Sequence, residues 1–143
     1  MRAKPFIIGF LAIVAVLAAV SIYLSATVDR ADKSVAALVS PDGKFKAVTI
    51  SFAGHGATPF CVVSISVMLA VYPDEFAQQR KEYEVFSAPC GTFASGERSP
   101  KIEWVSDTNL QITRTPAPDA KAARSTKNID VTNSVHVTVV ERD

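Results

Sequence analysis

Twenty-four consecutive residues without a charge, Pro5 to Val28 (PFIIGFLAIVAVLAAVSIYLSATV), constrain this chain more than any other feature. At about 1.5 Å of rise per residue, a helix needs about 20 apolar residues to cross about 30 Å of hydrocarbon. The run meets that length and lacks the polar face that a water-facing helix requires. Tyr23 stands near its far end, where an amphipathic ring suits a lipid–water interface. We therefore expect a transmembrane helix in residues 1–28, which anchors a separate domain over residues 29–143. The competing reading is a cleaved export signal, with Arg2 and Lys4 as its basic start and Ala19 and Ser21 as the small residues before the cut. Against it, the apolar run continues through Ile22, Tyr23 and Leu24, whereas signal cores span about 7–15 residues. The absence of a cysteine near the segment excludes a lipid-modified anchor, because there is no thiol to acylate.

Basic residues flank the run equally, with Arg2 and Lys4 before it and Arg30 and Lys33 after it. A short N-terminal tail and a long C-terminal domain, which translocates largely regardless of charge, place the N-terminus in the cytoplasm. The expected location is a bacterial inner membrane, with a single pass through residues 5–28 and the C-terminal domain in the periplasm. The alternative is secretion after signal cleavage.

All 14 acidic residues lie at Asp29 or later, and only two of the 15 basic ones precede it, so the domain carries a net charge of −1. Without a basic excess to neutralise phosphates, a nucleic-acid partner is excluded. A hydrophobic fraction of 48% for the whole chain excludes disorder.

Within the domain the apolar residues alternate with period two. Ser34 to Val39 and Lys44 to Phe52 flank Ser40-Pro41-Asp42-Gly43, where Pro presets its φ and Gly accepts a positive one, and this predicts a β-hairpin. In its second strand Lys46, Val48, Ile50 and Phe52 share one face, and Phe45, Ala47, Thr49 and Ser51 the other. Cys61 to Val71 reads as a central strand, with Val63, Ile65, Val67, Leu69 and Val71 on one face and Ser64 and Ser66 opposite. Glu75 to Tyr83 predicts one or two helical turns, and Tyr83, Val85 and Phe86 resume an extended segment. Ile102 and Trp104, then Leu110 and Ile112, form a second hairpin about Asp107-Thr108-Asn109. A Pro-, Ala- and basic-rich stretch from Pro116 to Ser125 predicts a surface loop, and Val135, Val137 and Val139 alternate with His136 and Thr138 in a last strand. The expected fold is mainly β: a small antiparallel sheet or sandwich of six to seven strands.

Cys61 and Cys90 are an even pair in a domain read as exported, which favours a disulfide. The competing uses are a Cys90 nucleophile with His55 or His136 as its base, and a zinc set of Cys61, Cys90, His55 and His136. The first lacks an electropositive local setting and the second the short paired ligand spacing. Gly54, His55, Gly56 and Thr58 form a candidate binding loop, although no carboxylate lies near His55 in the sequence to orient it. Arg114, Lys121, Arg124 and Lys127 make a basic loop that either meets anionic lipid or is a solvated face. Neither a catalytic set, a metal site nor a cofactor motif is expected.

The segment Ser40-Pro41-Asp42-Gly43-Lys44-Phe45-Lys46-Ala47-Val48, then Gly56-Ala57-Thr58, the strand Val62 to Val67, Ile102-Glu103-Trp104 and Asp107 to Ile112, resembles a group of small uncharacterised bacterial exported proteins. The resemblance implies an N-terminal membrane segment followed by one β-rich domain, without an assigned activity. This chain departs from it at His55 before Gly56 and in an insert from Glu75 to Gly96. The expected function is a membrane-anchored domain that contacts another envelope or membrane protein. The alternatives are an exported domain that binds a small molecule or ion, and a thiol-dependent hydrolase.

Overall fold

In the computed structural model, residues 13, 14, 16–19, 32–55, 59–116 and 125–142 are described. The chain divides into two units, Met1–Arg30 and Ala31–Asp143. In the first, residues 13, 14 and 16–19 are helical and exposed. The rest of the expected span over residues 5–28 lies outside the described residues, among which no helix is long and apolar enough to cross a membrane.

The second unit is mainly β, and its first hairpin follows from the turn. Gly43 takes φ +75°, and the Ser40 hydroxyl donates to Asp42 Oδ1 at 2.7 Å while accepting the Phe45 N–H at 3.0 Å. These bonds close β1 (Asp32–Val39) on β2 (Phe45–Gly54). Next come β3 (Phe60–Leu69), β4 (Glu84–Pro89), β5 (Gly91–Thr92), β6 (Arg98–Ser99), β7 (Lys101–Ser106), β8 (Asn109–Arg114), β9 (Ser125–Thr126) and β10 (His136–Glu141). Seven of these ten described strands have six or more residues. One sheet runs β1-β2-β3-β4-β9 with β3 at its centre, a second runs β10-β8-β7, and β5 and β6 form a small ribbon.

The two larger sheets enclose the main core. Phe45 and Ala47 of β2, Val63, Ile65 and Val67 of β3 and Ala88 of β4 meet Leu110 and Ile112 of β8 and Val135 and Val137 beside and on β10. Ile102 and Trp104 of β7 pack against this cluster, and the Trp104 indole donates to the Leu38 carbonyl at 3.0 Å, which ties the second sheet to β1. The opposite face of the five-stranded sheet has its own cover. The short helix Phe76–Gln79 and a 3₁₀ turn, Lys81–Tyr83, bring Ala77, Phe76 and Tyr83 over Val48, Ile50 and Met68. Both faces of β2 and β3 are therefore buried, as the apolar residues at successive positions require.

Lys46 lies under that cover with its side chain 9% exposed, in an ion pair with Asp74. Asp130 is buried and holds the turn before β10: its carboxylate accepts the backbone N–H of Ser134 and Val135, each at 2.8 Å, and of Thr132 at 3.0 Å.

Two expectations need correction. The fold is not wholly antiparallel, because β10 pairs with β8 in parallel, His136 to Asn109 through Glu141 to Arg114. The chain reaches that position by leaving β8, pairing briefly with β4 through β9 and returning on the far side of β8. Glu75 to Gly96 contains β4, whose Val85, Phe86 and Ala88 are core residues. A bulge there, between Ile65↔Phe86 and Ser66↔Glu84, leaves Val85 as an extra residue, so two adjacent side chains enter the same core. Val71 is 85% exposed and lies beyond the end of β3, so it does not share the buried face of Val63, Ile65 and Val67.

Candidate functional site

The inner face of the first sheet changes character along its length. On β2 it reads Phe45 and Ala47 under the second sheet, then Thr49, Ser51 and Ala53. On β1, by register, it reads Leu38 and Ala36, then Ser34 and Asp32. Where cover by the second sheet ends, apolar residues give way to hydroxyls, and a cleft of about 490 Å³ opens. Its volume falls within the range of small-molecule sites, about 300–1,000 Å³. Val63 and Cys61 line it from β3 and Cys90 from the link between β4 and β5, while Thr92, Arg98 and Pro100 line it from the β5–β6 ribbon and its exit.

The cysteines form a disulfide, with Cα atoms 5.3 Å apart, and the Cys90 N–H donates to the Cys61 carbonyl at 3.1 Å. This consumes the thiol on which a Cys90 nucleophile depends and both sulfur ligands of a zinc set. His136 begins β10 in the other sheet and does not line the cleft.

His55 does line it, and the hairpin supplies the carboxylate that its sequence neighbours lack. Asp32, 23 positions earlier, is carried opposite Ala53 by the β1–β2 register, and its Oδ2 lies 3.0 Å from His55 Nε2. Register, rather than proximity in sequence, makes this pair. The two side chains are 69% and 81% exposed. His55 makes no second hydrogen bond among the described residues, so no hydroxyl is engaged as a nucleophile.

The other members of the expected binding loop separate. Gly54 is a buried strand residue, and a Cβ there would lie 2.3 Å from the ring of Phe60, its cross-strand partner. Its glycine thus serves close packing. Gly56 and Thr58 lie outside the described residues, as do Lys121 and Arg124 of the basic loop. Arg114 pairs instead with Glu141 across β8 and β10.

Sequence reasoning passed over Thr49, Ser51 and Ser34 as members of a site. Thr49 and Ser51 are half-buried, and none of the three side chains makes a hydrogen bond among the described residues. Arg98, also at the cleft, makes no ion pair among them either. The available signal was the switch from apolar to hydroxyl residues along one face of β2.

The second exposed feature is β1 itself. All eight of its residues are exposed, with Val35 at 42%, Leu38 at 40% and Val39 at 52%, and it is an edge of its sheet. Ser40 N–H donates to the Phe45 carbonyl, which fixes the alternation of the ladder. The even residues of β1 turn their peptide groups to β2, and Lys33, Val35, Ala37 and Val39 turn theirs to the open side.

Comparison with protein-family models, with curated proteins and with solved structures finds no match for this chain.

Proposed function

We propose that this chain is a membrane-anchored, extracytoplasmic binding domain that receives an extended segment of another envelope protein along β1. The observation that carries this reading is an eight-residue edge strand, exposed throughout and rich in apolar side chains. Unpaired edges of this kind template the addition of a strand unless they are short, charged or covered. In strand addition main-chain hydrogen bonds supply affinity and alternate side chains supply selectivity. Here Val35, Ala37 and Val39 combine open peptide groups with one apolar face. The uncharged run over residues 5–28 is the proposed anchor, and it confines the domain to a membrane surface on the side where a disulfide persists. The likeness to small exported β-domain proteins, carried by the SPDGK hairpin and the strands after it, accords with this reading.

The test is a photo-crosslinking amino acid at Val35 in the full-length chain, in its own membranes. The expected result is one discrete adduct with another membrane or envelope protein, lost when Ala37→Pro is added. Proline at Ala37 removes a donor from the open edge and leaves the bonds to β2 in place, whereas Ala36→Pro breaks that ladder and lowers stability. An adduct unchanged by Ala37→Pro, or one formed only between copies of this chain, would overturn strand addition. Full-length chain in a high-speed supernatant without detergent would overturn the anchor.

A further inference from the structure

We propose that the cleft binds a small polyhydroxylated carboxylate, an acidic sugar of the uronic-acid class. Three independent features of its lining point to that chemistry. First, the hydroxyls of Ser34, Thr49 and Ser51 stand together on one sheet face: Ser34 lies opposite Ser51 and Thr49 opposite Ala36 in the register. Each hydroxyl donates and accepts, and none is used within the described protein. Sugar hydroxyls have the same dual capacity, whereas a bare inorganic anion needs donors alone.

Second, Arg98 borders the cleft without an ion-pair partner among the described residues, while Asp32 is shared with His55. With Asp32 engaged by His55, the planar guanidinium of Arg98 is left to receive a carboxylate, which it suits. Third, Ala53, Val63, Pro100 and the disulfide give the same cleft an apolar part. A pyranose presents C–H groups on its ring faces and hydroxyls at its edges, so a lining with both characters matches it better than an all-polar one would. This inference stands apart from strand addition, because the cleft lies on the inner face of the sheet and Val35, Ala37 and Val39 lie on the outer one.

The test uses the full-length chain in micelles of a detergent without a sugar headgroup. Binding of D-glucuronate is read by saturation-transfer NMR, with D-glucose and inorganic phosphate as comparison ligands. We expect glucuronate to bind about tenfold or more tighter than either, and Arg98→Gln to weaken it about tenfold, the size of one charge-assisted hydrogen bond. Arg98 is exposed, so this variant keeps the wild-type melting profile. Thr49→Val with Ser51→Ala removes two of the hydroxyls and is expected to weaken glucuronate. Glucose or phosphate binding as tightly as glucuronate would overturn the proposal. So would an affinity indifferent to Arg98→Gln, or no saturation transfer at about 10 mM glucuronate, which is below even millimolar affinity.

Discussion

Replacing Cys61 and Cys90 together by alanine removes the bond that joins the start of β3 to the residue after β4. The two cysteines are 29 positions apart. In the chain-entropy account, opening a loop of that length returns about 12 cal/mol/K to the unfolded chain, or about 3.6 kcal/mol at 25 °C. The folded side of the balance changes little, because the β3–β4 ladder and the bond from Cys90 N–H to the Cys61 carbonyl hold the two backbones together without the sulfurs. At about 2.1 cal/mol/K per residue, a domain of this size gains about 240 cal/mol/K on melting, so the double variant should melt about 15 °C lower. Against a total of about 5–15 kcal/mol the domain is expected to stay folded at 25 °C with a narrowed margin. Trp104 is the chain's only tryptophan and packs against the main core, so its fluorescence reports this domain and not the N-terminal segment. The measurement is a fluorescence melt of oxidised wild type, reduced wild type and the double variant in the same detergent. The last two should coincide. A drop smaller than about 5 °C would refute the unfolded-state reasoning.

Asp130→Ala should cost about 2–3 kcal/mol in denaturant unfolding, because three backbone donors lose their acceptor in a buried turn. Burial raises the pKa of this carboxyl, but the hydrogen bonds from Thr132, Val135 and Ser134 together outweigh it and hold the group below its ordinary value. A lowered folded-state pKa means that the stabilisation is complete above about pH 4 and is lost as pH falls through the folded value. Wild type should therefore show an acid-side loss of stability that Asp130→Asn lacks in a pH series of melts. Asp74→Ala should destabilise by about 1–2 kcal/mol, reduced from the fully buried case because Asp74 is 42% exposed, whereas Lys46→Met should be near neutral in the same unfolding assay. Trp104→Phe keeps most of the packing and loses the bond to the Leu38 carbonyl, a change expected to cost about 1 kcal/mol by urea titration.

Local order was legible in the residues. Ser40-Pro41-Asp42-Gly43 encodes its hairpin because the turn is closed by its own side chains and by one glycine at positive φ. The alternation of Val63, Ile65 and Val67, and of Val135 and Val137, announces strands because a pleated chain turns successive side chains to opposite sides. The even cysteine count raised the disulfide for a reason of chemistry: two thiols in a domain expected to be exported have a ready use.

Pairings between distant segments were not legible, because apolar alternation states which face is buried and not what buries it. That β10 runs parallel to β8, that β4 joins the central sheet through a bulge, and that Asp32 reaches His55 all depend on registers that no local pattern encodes. The cleft is of the same kind. Thr49 and Ser51 look like ordinary strand residues until the smaller second sheet stops short of them and leaves their hydroxyls uncovered. Composition and periodicity specify each element one at a time. Sites arise where elements meet, and that arrangement is chosen by the burial of the whole core together.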